Sequence, residues 1–411
     1  MKVVVFTLGC KVNQCESDAL IRGLRDRGYE VADELIPADL YIVNTCAVTN
    51  EAERKSRQMV ARIRKLNQKA RIIFTGCAAE RTPDLFLQRQ NVQLVTGTAA
   101  KAKILDLLEQ CGKFVQEDKS QYEELLPVNT LKSRTYIKIQ DGCDNFCSYC
   151  IIPYLRGRSR SRDYEKIARE IRETEPVEAV LNGINLSAYR YNGKNLTDLL
   201  YYLKDVPCRI RLGSLEVNII DDAFLLACQS LNDFAPHFHL SLQSGSDAVL
   251  KKMNRHYTAE EYLEKVKLIR SYFPDAAITT DIIAGFPTET EENFEETLAF
   301  VRRVRFSAIH CFPFSARSGT VAGRMKDLPM SVKKERVERL LAEGKAGHEA
   351  FIAENLNTVQ EFIPETETNG FWAGYTGNYI RVYVENCKAG GRYRVRLTGR
   401  FRDGALAEII K

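Results

Sequence analysis

Asp141-Gly142-Cys143-Asp144-Asn145-Phe146-Cys147-Ser148-Tyr149-Cys150 sets three cysteines in the spacing Cys-x3-Cys-x2-Cys. Iron–sulfur clusters are held by cysteine thiolates, four to a cubane in the usual case. Three thiolates leave one iron without a protein ligand, and an open metal position marks catalytic rather than structural sites. A zinc knot or a group of core cysteines would be the blander reading. Zinc sites favour two Cys-x2-4-Cys pairs, and no second pair follows nearby in the sequence.

Around this stretch the chain alternates short apolar runs with helical patterns. Strands are expected at 136–140, 179–182, 209–212, 238–242, 279–284 and 308–312, with helices between them, among them 164–173, 259–271 and 291–304. Six such β/α units fit a partial barrel. Barrel active sites lie at the carboxyl ends of strands, and the cysteine stretch follows the first strand.

The run Asp-Gly-Cys…Phe-Cys-x-Tyr-Cys-Ile-Ile-Pro resembles the signature of radical S-adenosylmethionine (SAM) enzymes. That resemblance implies a 4Fe-4S cluster on Cys143, Cys147 and Cys150, with SAM as cosubstrate. It also suggests roles for polar residues after later strands: Gly183 and Asn185, Ser214 and Glu216, and Gln243. Gly183 would allow SAM close approach, Glu216 would meet a ribose hydroxyl, and Gln243 would make a polar contact. Tyr149, between two of the cysteines, would pack on adenine. Ordinary turn chemistry is the alternative for each.

The first 113 residues show a second β–α alternation. Strands are expected at 3–8, 40–44, 71–75 and 92–95, and helices at 16–26, 51–66 and 101–110. This predicts an open parallel sheet covered by helices. Its first three strands run into Leu8-Gly9-Cys10, Asn44-Thr45-Cys46 and Thr75-Gly76-Cys77. Open parallel sheets bind ligands at the carboxyl ends of their strands. Three cysteines remote in sequence therefore have the chance to converge on one pocket. The alternative is three buried core cysteines, since cysteine is among the most buried residues. Cys15 and Cys111 end no strand and read as structural.

Thr7-Leu8-Gly9-Cys10-Lys11-Val12-Asn13-Gln14, Asn44-Thr45-Cys46-Ala47-Val48-Thr49 and Thr75-Gly76-Cys77 resemble the amino-terminal domain of the methylthiotransferases. The resemblance implies an auxiliary 4Fe-4S cluster on Cys10, Cys46 and Cys77. Residues 9–14 are similar to the tRNA threonylcarbamoyladenosine methylthiotransferase branch. Cys15 stands where that branch often has tyrosine, and Val217 where the family commonly has proline. All six cysteines would then be catalytic, one set generating a radical from SAM and the other presenting sulfur.

The chain has 411 residues and a formal net charge of +5. From Phe371 to the end, eight Lys/Arg face three Asp/Glu, so this tail carries the whole excess. A local basic patch suits a polyanion. Its pattern shifts to period two at 358–363, 379–384 and 393–397, as a small antiparallel β-barrel requires. Gly374-Tyr375-Thr376-Gly377-Asn378-Tyr379-Ile380-Arg381-Val382 resembles the TRAM domain, an RNA-binding barrel of the same family. Phe371, Trp372, Tyr375 and Tyr379 are candidates to stack on bases beside Arg381, Arg394 and Arg396. Some of these aromatics must instead fill the small core. Arginine also recurs at every second position in Arg156-Gly157-Arg158-Ser159-Arg160-Ser161-Arg162. On an extended segment Arg156, Arg158 and Arg160 share a face and would line a phosphate track.

The expected organisation is α/β: an amino-terminal open parallel domain (1–113), a linker (114–132), a partial (β/α)6 radical SAM core (133–345) and a TRAM barrel (346–411). Implied partners are the tRNA anticodon stem-loop and an electron donor such as flavodoxin or ferredoxin. The sulfur donor is unassigned. No apolar run of eighteen residues indicates a membrane span, and the start has no signal-peptide features, so a cytoplasmic location is expected. The implied activity is 2-methylthiolation of threonylcarbamoyladenosine at position 37, beside the anticodon. The rivals are methylthiolation of isopentenyladenosine or of a ribosomal-protein aspartate, and a non-catalytic iron–sulfur RNA-binding protein.

Overall fold

The computed structural model describes residues 1–127 and 133–410. The chain forms two compact units. The described residues of the first are 1–127, 138–162 and 315–324; those of the second are 133–137, 163–314 and 325–410. Residues 128–132, the end of the expected linker, lie outside the described residues, as does Lys411.

The first unit is built on six parallel strands: β1 (Lys2–Thr7), β2 (Glu30–Ala32), β3 (Leu40–Thr45), β4 (Arg71–Gly76), β5 (Val92–Thr96) and β6 (Gly112–Phe114). Their order is β2-β1-β3-β4-β5-β6. Val3, Val4, Val5, Tyr41, Ile42, Ile72, Ile73 and Phe74 are fully buried, as a parallel sheet covered on both faces demands. α1 (Lys11–Asp26) follows β1, and α2 (Asn50–Leu66) follows β3. The Thr49 hydroxyl caps α2 by accepting from the Ala52 N–H at 3.1 Å, and Glu51 and Glu53 suit its positive end. After β4 come two short helices, α3 (Cys77–Arg81) and α4 (Pro83–Leu87). The short edge strands β2 and β6 were not expected. Only a 3-10 turn, Ala102–Asp106, stands where a helix at 101–110 was expected.

The described part of the linker is pinned to this unit. Tyr122 Oη donates to the Lys138 carbonyl at 2.7 Å, and Glu123 accepts from the Ala102 N–H at 2.8 Å. Lys119 pairs with Glu80 at 2.5 Å.

After β7 (Arg134–Lys138), which belongs to the next sheet, β8 (Gln140–Asp141) pairs antiparallel with β9 (Arg160–Ser161). This clip closes the loop carrying the second cysteine set. α5 (Ile152–Arg156) lies inside it, with Ile151 and Leu155 buried in the apolar cluster of Val43, Ile72, Phe74 and Val95.

The second unit continues the β/α alternation. α6 (Tyr164–Thr174) leads to β10 (Glu178–Asn182); a two-strand hairpin, β11 (Arg190–Tyr191) and β12 (Lys194–Asn195), leads through α7 (Leu196–Tyr202) to β13 (Arg209–Leu212). β14 (Ser214–Leu215) and α8 (Asp222–Ser230) precede β15 (His237–Leu240). α9 (Asp247–Lys252) and α10 (Ala259–Tyr272) lead to β16 (Ala277–Ala284), and α11 (Glu291–Val304) to β17 (Ala308–Pro313). The strands pair as β13-β10-β7 and β14-β15-β16-β17, with Gly213 joining β13 to β14. Six strand positions thus follow in chain order, the partial barrel expected.

α12 (Met330–Asn355) runs into a closed barrel of β18 (Val359–Thr368), β19 (Phe371–Thr376), β20 (Arg381–Val384), β21 (Tyr393–Phe401) and β22 (Gly404–Ile409). Its strands are antiparallel except that β20 and β22 run parallel. Phe362, Ile380, Val382, Val384, Val395 and Leu397 fill it, and Ile352 of α12 joins them. A Cβ on Gly374 would lie 1.9 Å from the Ile363 carbonyl oxygen, so only glycine lets β18 and β19 close there. Arg211 of β13 holds this barrel. It donates to both Glu178 oxygens at 2.7 and 2.9 Å and to the Thr376 and Gly377 carbonyls at 3.0 Å.

Candidate metal and cofactor site

In the first unit Cys10 is the amino-terminal cap residue of α1, Cys46 follows β3 directly, and Cys77 opens α3. All three stand at carboxyl ends of adjacent strands, in the order β1-β3-β4. Gly9 takes φ +106°, and a Cβ there would sit 2.8 Å from Cys46 Cβ and 3.0 Å from its Sγ. The glycine is needed to admit the Cys46 side chain.

Polar side chains fix the strand ends. Asn13 donates to the Leu8 carbonyl at 2.8 Å and the Thr45 carbonyl at 3.0 Å, and Cys10 Sγ lies 3.8 Å from Asn13 Oδ1. Thr45 Oγ1 donates to the Thr75 carbonyl at 2.6 Å and accepts from the Ala78 and Ala79 N–H groups at 3.1 and 3.0 Å. The three loops are thereby tied together by hydrogen bonds within the protein.

Beneath the cysteines lies a buried ionic group. Arg156 is fully buried. It donates to Glu16 at 2.9 and 3.2 Å, to Asp141 at 3.0 Å and to Asn13 at 2.8 Å. Lys138 meets Glu16 at 2.9 Å and Asp141 at 2.8 Å; Arg160 meets Asp141 at 3.0 Å. Lys101 also pairs with Glu16, and its Nζ donates to Asn44 Oδ1 at 3.2 Å. Burial, with Arg156 and Lys138 beside it, pulls the Lys101 pKa well below the lysine range. Burial alone would raise Asp141, but Lys138, Arg156 and Arg160 hold its carboxyl far below the usual range.

Even with Lys101 neutral, three cations face two carboxylates. A buried positive excess is costly unless an anion offsets it. Cys77 and Cys10 are the nearby groups able to supply that anion, and Arg156 reaches both electrostatically. Burial pushes the Cys77 thiol up to about 11 against the pull of Arg156, and burial raises Cys46 too. Arg317, buried and paired with Glu53, adds a further cation near Cys46. Metal binding requires the thiolates. Three soft sulfur donors over a cationic floor fit an iron–sulfur cluster.

The second set occupies the loop above β8 and β9. Gln140 Nε2 donates to the Asp141 and Gly142 carbonyls at 3.0 and 2.7 Å and to Ser159 Oγ at 2.9 Å. Gly142 takes φ +71°, and a Cβ there would fall 2.0 Å from the Arg158 carbonyl oxygen. The Cys143 N–H donates to the Gly157 carbonyl at 3.1 Å, Cys150 N–H to the Cys147 carbonyl at 2.9 Å, and Ala322 N–H to the Ser148 carbonyl at 2.7 Å. Cys147 is buried; Cys143, Tyr149 and Cys150 are half-buried. A short loop with three cysteines and backbone held by its neighbours fits a cluster with one open iron.

Arg156 and Arg160 were expected to face RNA. They do not: both are buried in the ionic group, and Arg162 is buried against Glu124 at 3.0 Å. The segment is not extended, because Arg156 ends α5 and Gly157 turns the chain at φ +78°. Arg158 is exposed, with its guanidinium 4.7 Å from the Phe146 ring centre.

In the second unit the residues expected to meet SAM follow the strand ends. Gly183 and Asn185 come after β10, Ser214 and Glu216 at and after β14, and Gln243 after β15. Glu216 accepts from Arg255 at 3.0 Å, and its N–H donates to Ser187 Oγ at 2.9 Å. Gln243 is held at φ +71°. Its N–H donates to the Asp281 carbonyl at 2.8 Å. A non-glycine residue in that conformation stores strain that persists where a site over-determines it.

Two of the aromatics expected to stack on bases are occupied internally. Tyr379 stacks on His237 at 4.2 Å and on Tyr375 at 4.6 Å. Arg134 lies 4.8 Å from the Tyr375 ring centre and Arg211 5.1 Å from that of Tyr379. Arg381 pairs with Asp403 at 2.7 Å. Arg394 and Arg396 stand exposed on the outer face of β21, with Arg400 further along. Cys15 is buried in α1, whereas Cys111 is exposed before β6.

Two family models match: the Uncharacterized protein family UPF0004 over residues 2–97 and the Radical SAM superfamily over residues 137–301. The chain is 38% identical to the threonylcarbamoyladenosine tRNA methylthiotransferase MtaB of Bacillus subtilis, over 93% of this chain and 90% of the relative. The protein of that name from Aquifex aeolicus is 38% identical, over 95% and 98%. A tRNA-2-methylthio-N(6)-dimethylallyladenosine synthase of Endomicrobium trichonymphae is 33% identical, over 94% of each. Among solved structures, the radical SAM methyltransferase TsrM from Kitasatospora setae superposes with a TM-score of 0.56 at 13% identity, over 78% of this chain and 74% of that one, a likeness of fold. With both cysteine sets at their strand ends and a full-length likeness at this level of identity, the chain belongs to the radical SAM methylthiotransferase family, on its threonylcarbamoyladenosine tRNA branch.

Proposed function

We propose that this protein converts N(6)-threonylcarbamoyladenosine at position 37 of tRNA into its 2-methylthio derivative. The observation that carries the reading is the presence, in one compact unit, of two separate three-cysteine sets, one dispersed over three strand ends and one in a single clipped loop. The reaction replaces an unactivated C–H bond on adenine, beyond the reach of acid–base side chains alone. Loaded with 4Fe-4S clusters and SAM, the two sets supply radical generation and sulfur. The residues of the chain hold the ligand loops in place, and Arg156, Lys138 and Arg160 offset negative charge at the dispersed set. Gly183, Asn185, Ser214, Glu216 and Gln243 are the proposed SAM contacts of the second unit, and Tyr149 that of the cysteine loop.

Nucleoside mass spectrometry of tRNA from a strain lacking the gene tests the substrate. Methylthio-threonylcarbamoyladenosine should vanish and its unmethylthiolated precursor accumulate. Loss of the methylthio-isopentenyl nucleoside instead, with the threonylcarbamoyl one intact, would overturn the assignment.

The carboxyl-terminal barrel, residues 346–411, is the proposed tRNA-binding module, and its contact face is β21 rather than the Tyr375–Tyr379 pair. Arg394 and Arg396 point outward there, although Glu361 and Glu408 stand opposite them in register. Phosphate contacts contribute affinity that falls with salt and carries little sequence information. Replacing Arg394 and Arg396 by alanine should weaken tRNA binding evenly across tRNAs and flatten the log–log salt slope by about 1 to 2. A slope equal to that of the wild type would remove β21 from the interface.

A further inference from the structure

The chain has five histidines. Three of them stand on the two barrel strands that flank β16: His237 and His239 on β15 and His310 on β17. Between these strands β16 contributes Asp281, which is the register partner of His310. His239 is the register partner of Thr279, two residues before Asp281 and on the same face. The alternate residues Ile278, Thr280 and Ile282 are buried on the opposite face. One face of three neighbouring strands therefore carries imidazole, carboxylate and imidazole side by side.

The side-chain geometry closes this into a group. One ligand atom from each of His239, Asp281 and His310 lies within 4.8 Å of the others. His239 Nε2 is 3.3 Å from Asp281 Oδ2. The other ring nitrogen, Nδ1, lies 3.0 Å from Thr279 Oγ1, and His237 Nε2 lies 2.8 Å from that same oxygen. A threonine hydroxyl can accept from His239 Nδ1–H while donating to His237 Nε2. That assignment leaves the lone pair of His239 on Nε2, aimed at the carboxylate. Metal-bound histidines carry this kind of second hydrogen bond, which fixes tautomer and ring orientation.

We propose that His239, Asp281 and His310 form a binding site for one divalent transition cation of the zinc class, sharing no ligand with either cysteine set. Two imidazoles and a carboxylate are borderline-to-hard donors suited to zinc or ferrous iron, unlike the soft thiolates of the first unit. Three protein ligands leave one or more positions for water or another oxygen donor. An ordinary hydrogen bond between His239 and Asp281 would account for that pair, but not for His310 completing a ligand set with it while Thr279 fixes the His239 ring.

The test uses the full chain with both clusters assembled anaerobically, titrated with Zn2+. About one zinc per chain should be retained, and zinc-edge X-ray absorption should show nitrogen and oxygen neighbours with imidazole outer shells and no sulfur. Asp281→Asn and His310→Ala should abolish retention with iron content unchanged. Thr279→Val leaves all three ligands in place and should weaken Zn2+ binding by about 10- to 100-fold through loss of the His239 hydrogen bond. Sulfur scattering, no retained zinc in the wild type, or equal retention in Asp281→Asn and His310→Ala would overturn the proposal. Circular dichroism and iron counts confirm that each variant is folded, so a loss reads on the site itself.

Discussion

Cys143→Ala should yield protein with about half the wild-type iron and no detectable 5′-deoxyadenosine when incubated anaerobically with reductant and SAM. Cys10→Ala should lose the other half, continue to form 5′-deoxyadenosine, and make no methylthiolated tRNA. The asymmetry follows from how the two sets are built. The Cys143 loop is shaped by contacts that need no cluster: the β8–β9 clip, the hydrogen bonds donated by Gln140 Nε2, and the Gly142 turn against Arg158. Removing one thiol there leaves the Cys10, Cys46 and Cys77 strand ends tied through Asn13 and Thr45. Each half of the iron is thus expected to behave independently. Iron and sulfide assays with chromatography of the nucleoside products check both variants in one preparation. If Cys143→Ala kept 5′-deoxyadenosine formation, or if either variant lost all its iron, the two-set reading would fail.

Much of this arrangement is legible in the sequence. β–α alternation locates strand ends, and Cys10, Cys46 and Cys77 each follow an apolar run. A parallel sheet must bring such positions to one edge. Registers and turns were harder. Arg156, Arg158 and Arg160 read as one face because alternate residues align on an extended chain; the helix end at Arg156 and the φ +78° turn at Gly157 break that alignment. A signal did exist. Glu16 stands on the buried face of α1 beside Val12, Asn13, Cys15 and Ala19, and a buried glutamate asks for cations. Which cations it receives depends on Lys101, Lys138 and Arg156, more than eighty residues further along the chain, and no local pattern encodes that pairing. The same holds for His239, Asp281 and His310, whose meeting depends on strand order and register. In the carboxyl-terminal barrel, period two identified strands but could not say which aromatics pack. Tyr375 and Tyr379 went to an internal stack with His237, Arg134 and Arg211.

Arg156→Met is the substitution expected to do most damage outside the cysteines. The guanidinium makes hydrogen bonds to Glu16, Asp141 and Asn13 with no solvent access. Methionine fills much of the volume but strips these hydrogen bonds from Glu16, Asp141 and Asn13, and Glu16 then relies on Lys138, which it shares with Asp141, and on Lys101, a lysine whose charge burial opposes. Breaking a buried ion pair from one side costs about 3–5 kcal/mol, which urea unfolding of the cluster-free chain would read as a lower midpoint. A second effect is chemical. Arg156 is the charge that counters burial at Cys77, so without it this thiol is harder still to deprotonate and the dispersed set takes up iron poorly. Arg156→Lys restores a cation but not the fork that reaches Glu16 and Asn13 together, so it should recover part of the iron and little of the unfolding midpoint. The tRNA-binding salt slope should not move in either variant, because a buried side chain releases no counterions from RNA. Unchanged iron content in Arg156→Met would show that the cationic floor serves folding alone; a flattened salt slope would return this arginine to the RNA face.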